Sequence, residues 1–131
     1  MSGNSTYLAQ AVLNWARGTA MPTAPSALYV ALFNGDPTDA GTGGTEVTTS
    51  VRTAGRVAAP YGAPSGKGMT NTSAVSFGNS ANTVANVTHF AVFDAASGGN
   101  MLGSNPLASG GGAITAGSTV SFAAGALTWA E

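Results

Sequence analysis

Ala27-Leu28-Tyr29-Val30-Ala31-Leu32-Phe33 is the stretch that decides the fold class of this chain. It holds no charged or amide side chain at either alternating set of positions, which predicts a strand that is covered on both faces. Asn34-Gly35-Asp36-Pro37 follows and supplies the residues of a turn. We expect one face of this strand in a sheet core and the other beneath the N-terminal helix or a subunit contact.

A second stretch of the same kind, residues 87–93, predicts a central strand. The Gly-containing residues 94–99 join it to residues 100–104 as a hairpin. Shorter candidate strands lie at residues 56–61, 73–77, 113–115, 119–122 and 127–129. Short strands at roughly ten-residue spacing, with Gly, Asn and Pro between them, predict a mainly β fold. The expected architecture is an antiparallel β-sandwich, either jelly-roll-like or a small barrel, with one short N-terminal amphipathic helix.

The helix is predicted over residues 6–17, with Ser5 or Asn4 as its cap and Gly18 at its end. Its apolar residues recur at the i, i+3, i+4, i+7 spacing of one stripe. They are Leu8, Ala11, Val12 and Trp15. A helix of about twelve residues is marginal alone in water, so this stripe must dock, either on its own sheet or on a neighbour.

The whole chain, residues 1–131, is expected to form a single domain. It would consist of an N-terminal helical segment, residues 1–20, and a β-sandwich, residues 27–131. The chain is rich in Gly and Ala and has few large aromatic side chains, so the core should be thin. We therefore expect a homo-oligomer, because a small domain of this composition completes its burial against copies of itself or a larger partner.

Charge and residue usage exclude several classes of function. Only 7% of the residues are charged and the formal net charge is −1, which disfavours nucleic-acid binding by the folded domain. No apolar run is long enough to span a membrane, and the first ten residues do not resemble a signal peptide. Cysteine is absent and His89 is the single histidine, so we predict no metal site and no cofactor. We expect a soluble intracellular product, or one that is released by lysis.

Two patterns could suggest an enzyme, and a simpler interpretation is favoured for each. His89 with Asp94 and a nearby serine could form a triad, but no G-x-S-x-G elbow occurs. His89 is more simply a half-buried packing residue with a hydrogen-bonded ring, on one face with Val87, Ala91 and Phe93. Residues 62–68 end in Gly-Lys-Gly, yet the glycine spacing and the following residues do not fit a phosphate-binding loop. We predict no catalytic residue.

The aromatic residues permit a binding function. A sugar-stacking platform would make the chain a small carbohydrate-binding module. The residues that could form it are Tyr7, Tyr29, Tyr61, Trp15 and Trp129. The simpler interpretation is that they anchor the core and a partner interface. The predicted partner-interface residues are Tyr7, Leu8, Val12 and Trp15.

Five segments resemble a family of small tailed-bacteriophage virion proteins that are often labelled tail-fibre proteins. The segments are residues 7–13 (YLAQAVL), 28–33 (LYVALF), 44–47 (GTEV), 87–100 (VTHFAVFDAASGGN) and 116–128 (AGSTVSFAAGALT). The resemblance covers nearly the whole chain. It implies a non-enzymatic structural protein of the virion, whose partners are other virion proteins.

The place of the protein in the virion is predicted from its lack of a fibre shaft. No heptad pattern or internal repeat is present that would build one. We therefore expect a capsid decoration (cement) protein that binds the major capsid protein as a symmetric oligomer at the virion surface. A tail or tail-fibre component that contacts the host surface is the alternative, and a carbohydrate-binding module is a further one.

Overall fold

The computed structural model describes residues 4–52, 55–107 and 112–130. Its helix α1 spans Thr6–Ala16. The strands are Leu28–Asn34 (β1), Thr45–Glu46 (β2), Val57–Ala59 (β3), Gly68–Met69 (β4), Val75–Asn79 (β5), Val84–Val87 (β6), His89–Phe93 (β7), Met101–Pro106 (β8), Gly112–Ile114 (β9), Thr119–Phe122 (β10) and Trp129–Ala130 (β11).

The helix begins and ends where the sequence predicts, to within one residue. Ser5 is extended and its side chain accepts a hydrogen bond from the Leu8 N–H at 3.1 Å, which is an N-cap. Gly18 follows the C-cap with a φ of +104°, a left-handed conformation that glycine adopts at little cost. Both ends of the helix are therefore set by local residues.

The larger sheet is antiparallel and has the order β2-β1-β7-β8, with β3 pairing the first half of β1. In the register of β1 and β7, Tyr29 lies opposite Phe93 and Phe33 lies opposite His89. The central position of β7 and the hairpin from β7 to β8 confirm both predictions from the sequence. Pro60 follows directly after β3, whose only strand partner among the described residues is β1.

Three two-stranded antiparallel sheets form the second layer: β5 with β10, β4 with β11, and β6 with β9. The main core lies between the layers and holds Val30, Leu32, Val51, Ala59, Val75, Phe77, Val87, Phe90, Val92, Leu102, Leu127 and Trp129. Phe122 of β10 contacts both Phe77 and Phe90, with ring centroids 6.2 Å apart in each case. The predicted mainly β sandwich is confirmed, and the described strands close no barrel.

The opposite face of the larger sheet carries a second, smaller cluster. It consists of Ala31, Phe33, Ala91, Phe93 and Met101, and the Phe33 and Phe93 rings are stacked 6.2 Å apart. The guanidinium of Arg56 lies 3.6 Å from the centroid of the Phe93 ring. Gly41 of the β1–β2 loop lies against the Met101 side chain. Arg56 and this loop therefore contact a face on which the sequence led us to expect the helix or another subunit.

Three predictions of local structure need correction. Residues 38–50, for which no strand is predicted, contain strand β2. The strand expected over residues 56–61 is only the three residues of β3, because the chain leaves the sheet at Pro60. Val87 lies in the main core rather than beside Ala91, since the chain breaks its alternation at Thr88 between β6 and β7. The Gly-rich residues 110–112 lie outside the described residues except for Gly112, the first residue of β9.

Candidate functional site

The start of the N-terminal helix is fastened to the domain by backbone and side-chain hydrogen bonds. The Ser5 N–H donates to the Leu102 carbonyl at 2.9 Å, and the Thr6 N–H donates to the Asp39 carbonyl at 2.7 Å. Asn4 Oδ1 accepts from the indole N–H of Trp129 at 2.9 Å. These bonds satisfy donors at the helix start and place the helix at the outer edge of β8.

The predicted apolar stripe divides into a docked half and an exposed half. Ala11 is buried and Leu8 is half-buried against the main core. Val12 is 41% exposed and Trp15 is 63% exposed. The helix extends past the edge of its own sheet, so its first two turns dock and its last turn does not. The first half of the stripe therefore docks on its own domain, and the second half is left exposed.

Of the four predicted interface residues, Leu8 contacts its own domain and the other three are exposed. Among the described residues, every exposed large hydrophobic side chain lies in the segment 7–21. These five residues, which we call the arm surface, are Tyr7, Val12, Leu13, Trp15 and Met21. Exposed apolar residues that concentrate in one segment mark a binding surface more strongly than the same residues scattered singly. Leu13 and Met21 belong to the arm surface but lie outside the predicted set.

The connector after the helix runs back along the side of the helix that carries Tyr7 and Ala11. Met21 to Pro25 and the helix line a groove of about 260 Å³ whose floor includes Leu102. Pro22 and Pro25 limit the conformations of this connector. The helix and the connector therefore form one arm, and the groove leaves the Val12–Leu13 side of the helix uncovered.

Arg56 is a buried structural cation that the sequence pattern did not reveal. Its Nε and one terminal nitrogen donate to the two oxygens of Glu46, at 2.8 and 2.9 Å. Its other terminal nitrogen donates to the carbonyls of Ala95 and Gly98, both at 2.8 Å. With Phe93 beneath it, this guanidinium has four satisfied hydrogen bonds and a ring contact. These bonds join the segment before β3 to strand β2 and to the β7–β8 loop. Few donors of Arg56 remain free to bind a ligand.

Asn71 is a second buried polar residue whose role is structural. Its amide nitrogen donates to the carbonyls of Ser73 and Ala123, at 2.9 and 3.0 Å. Its amide oxygen accepts from the Leu127 N–H at 3.0 Å. The side chain thereby joins the segment before β5 to the loop before β11.

The structure does not assemble the triad that His89 and Asp94 could suggest. The two residues lie at opposite ends of β7, about 17 Å apart at the usual rise of a strand. Thr88 Oγ1 accepts from the Gly35 N–H and lies 2.8 Å from His89 Nδ1. The Thr88 hydroxyl can therefore donate to Nδ1, which confirms the hydrogen-bonded, half-buried packing role predicted for His89.

Residues 62–68 form a turn rather than a phosphate-binding loop. Ser65 and Gly68 exchange two backbone hydrogen bonds, at 2.8 and 3.2 Å. Strand β4 begins at Gly68, so the loop is not followed by the helix that a phosphate-binding loop requires. The preference for an ordinary loop is confirmed.

The five aromatic residues that could form a sugar platform are not on one surface. Tyr61 and Trp129 pack edge to face inside the domain, with ring centroids 6.2 Å apart. Trp15 projects from the arm. Tyr61 and Trp129 therefore pack with the core, Tyr7 and Trp15 belong to the arm surface, and Tyr29 is half-buried on β1.

The part of the chain that the structure describes holds neither a cluster of metal-ligating side chains nor a helix that could span a membrane. No three His, Cys, Asp or Glu side chains within it come close enough to share a metal ion. No helix within it has the length and apolar content needed to cross a bilayer. The arm surface remains the strongest candidate for a functional site.

Comparison with known proteins gives a family for the chain. A family model described as podophage GP4 fiber I protein gp80 matches residues 3–130. No curated protein matches the chain significantly. The match covers almost every residue and confirms the resemblance of the five segments to phage virion proteins. The chain therefore belongs to the podophage GP4 fiber I protein family and is a structural component of a phage virion.

Proposed function

We propose that this protein is a component of the tail fibres of a podophage. The observation that carries the proposal is the family match over residues 3–130, since the family takes its description from a fibre protein. The sequence-based prediction put capsid decoration first and a tail or tail-fibre role second. The family description supports the second of these better, and it offers no support for a cement protein.

The proposed role is non-enzymatic and depends on contacts with other protein chains. The arrangement of polar residues supports this, because Arg56, Asn71 and His89 are each used in holding the fold. The residues that we propose for contact with other virion proteins, including further copies of this chain, are Tyr7, Val12 and Trp15, with Leu8 anchoring the helix beneath them. Exposed aromatic side chains are typical of the centres of protein interfaces.

The location is tested by counting copies of the protein in purified particles against the major capsid protein, by quantitative mass spectrometry. A fibre component should be present at a few copies per hundred capsid subunits, because the tail occupies one vertex of the shell. Antibodies against the protein should label that vertex in electron micrographs. A ratio near one to one, or a simple fraction of it, with label over the whole shell would contradict the fibre location and restore the decoration hypothesis.

The role of the arm surface is tested by the Trp15→Ala variant in complemented phage. We expect less of the variant protein in purified particles, because an exposed aromatic anchor is lost. Gln10→Ala is the matched control, since Gln10 is exposed on the same helix but on its polar side. Equal incorporation of the two variants would show that the arm surface has no part in assembly.

A further inference from the structure

The outward face of helix α1 has a pattern that is symmetric about a point between Val12 and Leu13. Ala9, Val12, Leu13 and Ala16 follow the i, i+3, i+4, i+7 spacing of a single helix face. We call these four residues the outer face. It adjoins the docked residues Leu8 and Ala11. Ala9 is half-buried, whereas Val12, Leu13 and Ala16 are exposed, Leu13 to 68%. Small residues stand at both ends of the outer face and larger ones in its centre.

This order has a consequence for self-association. When two identical helices pack antiparallel about a two-fold axis that passes between Val12 and Leu13, Ala9 lies opposite Ala16 of the other copy. Val12 and Leu13 lie on opposite sides of this face, so next to the axis each Leu13 meets Leu13 of the other copy and each Val12 meets Val12. Small residues at each end let the backbones approach, while the central pair fills the contact. A parallel pair would instead set Ala9 against Ala9 and Ala16 against Ala16, and would bring the two Arg17 side chains to the same end.

The charges around the helix complement the same arrangement. Arg17 stands at the C-terminal end, and Asp39 stands at the N-terminal end, because its carbonyl accepts from the Thr6 N–H. Both side chains are exposed, and neither forms an ion pair with any residue that the structure describes. An antiparallel pair brings each Arg17 to the end where the other copy carries Asp39. It also sets each helix dipole against the opposite end of the other.

We propose that the outer face of α1 binds a second copy of this chain, with the two helices antiparallel and Leu13 at the centre of the contact. The inference rests on the proposed role of the helix as a contact surface and adds its partner and geometry. The exposed apolar area of Val12 and Leu13 is on the order of 200 Å², about a quarter of what each partner buries in a standard interface. The pair is therefore weak in isolation and gains strength where copies are held together.

The first experiment measures self-association of the full chain by sedimentation equilibrium. Leu13→Glu should weaken the dimer by at least about tenfold, because it buries a carboxylate at the centre of an apolar contact. Gln10→Glu is the matched control, since it adds the same charge to the polar side of the same helix and should leave the dimer within about threefold of the wild type. A chain that stays monomeric at millimolar concentration, or equal effects of the two variants, would overturn the proposal.

The second experiment determines the orientation of the two helices. The chain has no cysteine, so disulfides report only introduced residues. The double variant Ala9→Cys with Ala16→Cys should form a covalent dimer rapidly on mild oxidation, and Leu13→Glu should suppress it. Ala16→Cys alone should not, because seven residues of helix span about 10 Å, more than the 7 Å that Cα atoms can be apart in a disulfide. Rapid crosslinking of the single variant would indicate parallel helices and overturn the geometry.

The third experiment tests the charge pair. Arg17→Glu and Asp39→Lys should each weaken the dimer a few-fold at low salt, and the two together in one chain should restore it. All three experiments use the isolated protein, so their outcome is independent of where the protein lies in the virion. A monomeric protein whose Leu13→Glu variant is no longer incorporated into particles would assign the outer face to a different virion protein and overturn the proposal.

Discussion

At the residue scale, Tyr61 combines a favourable ring with an unfavourable hydroxyl. The ring packs edge to face against Trp129, with centroids 6.2 Å apart. The hydroxyl oxygen is buried and has no hydrogen-bond partner among the described residues. Burial also raises the pKa of the Tyr61 phenol from 10.0 to about 12, since the charged form is poorly solvated there. The domain therefore keeps the ring at the expense of an unsatisfied polar group.

Tyr61→Phe should stabilise the protein, because it removes the unsatisfied hydroxyl and keeps the ring. We expect the free energy of unfolding in urea to rise by about 1 kcal/mol at neutral pH. The alkaline range provides a second readout of the same variant. An unfolded tyrosine loses its proton near pH 10 and the folded one near pH 12, so wild-type stability should fall between these values. In Tyr61→Phe, the free energy of unfolding should not show the part of this alkaline decrease that comes from Tyr61. An identical pH profile for both proteins would contradict the interpretation.

Asn71 shows how a single buried amide can join segments that are distant in sequence. Asn71→Asp should destabilise the protein by about 3 kcal/mol, because a carboxylate oxygen would face the carbonyls of Ser73 and Ala123 in place of an N–H donor. The measurement is the urea midpoint with its slope. Asn86→Asp is the matched control, since Asn86 is exposed on β6 and should change stability by less than about 0.5 kcal/mol. Comparable losses in the two variants would refute the structural role of Asn71.

At the element scale, helix α1 is held at its start and unsupported at its end. The cap from Ser5 and the backbone bond to Leu102 hold the first turn, whereas Trp15 has no cover in the described chain. Helices of this length need tertiary contacts to persist in water. The last turn of α1 should therefore depend on its partner more than the first turn does.

Ser5→Ala should loosen the helix without unfolding the sheet. Removing an N-cap costs about 1 kcal/mol, so amide hydrogen exchange in residues 8–13 should become about fivefold faster. The amides of β7 should exchange at an unchanged rate relative to global unfolding. Thr6→Ala is the control, because Thr6 is exposed and contributes no cap through its side chain in the described structure. Equal acceleration by both variants would show that the Ser5 hydroxyl does not hold the helix.

At the scale of the whole molecule, the two ends of the chain meet. Trp129 of the last strand pairs with β4, donates to Asn4 and packs in the main core with Leu127, which is fully buried. The residues after the Gly-rich stretch therefore complete the core that the earlier strands begin. That residues 1–131 form a single domain stays a prediction.

A single domain should unfold in one transition. In the Trp15→Phe background, the fluorescence of Trp129 and the far-ultraviolet circular dichroism should give the same urea midpoint, because both report the same core. The Trp15→Phe change affects an exposed side chain and should leave that midpoint within error of the wild type. Two separated transitions would indicate that the segment after residue 112 unfolds apart from the rest.

The sequence by itself determined the helix, the strands β1 and β7, the hairpin from β7 to β8, the mainly β sandwich and the family. These features depend on patterns within short stretches, such as the alternation in residues 27–33, which local sterics and one-sided burial impose directly. Only the tertiary structure decided the bonds of Arg56 and Asn71, because their partners lie up to 42 and 56 residues away along the chain. It also decided which part of the helix is free. The periodicity that joins Leu8 to Trp15 is continuous, but burial of the stripe stops after Ala11. The sequence of the helix itself cannot predict where the sheet that covers it ends.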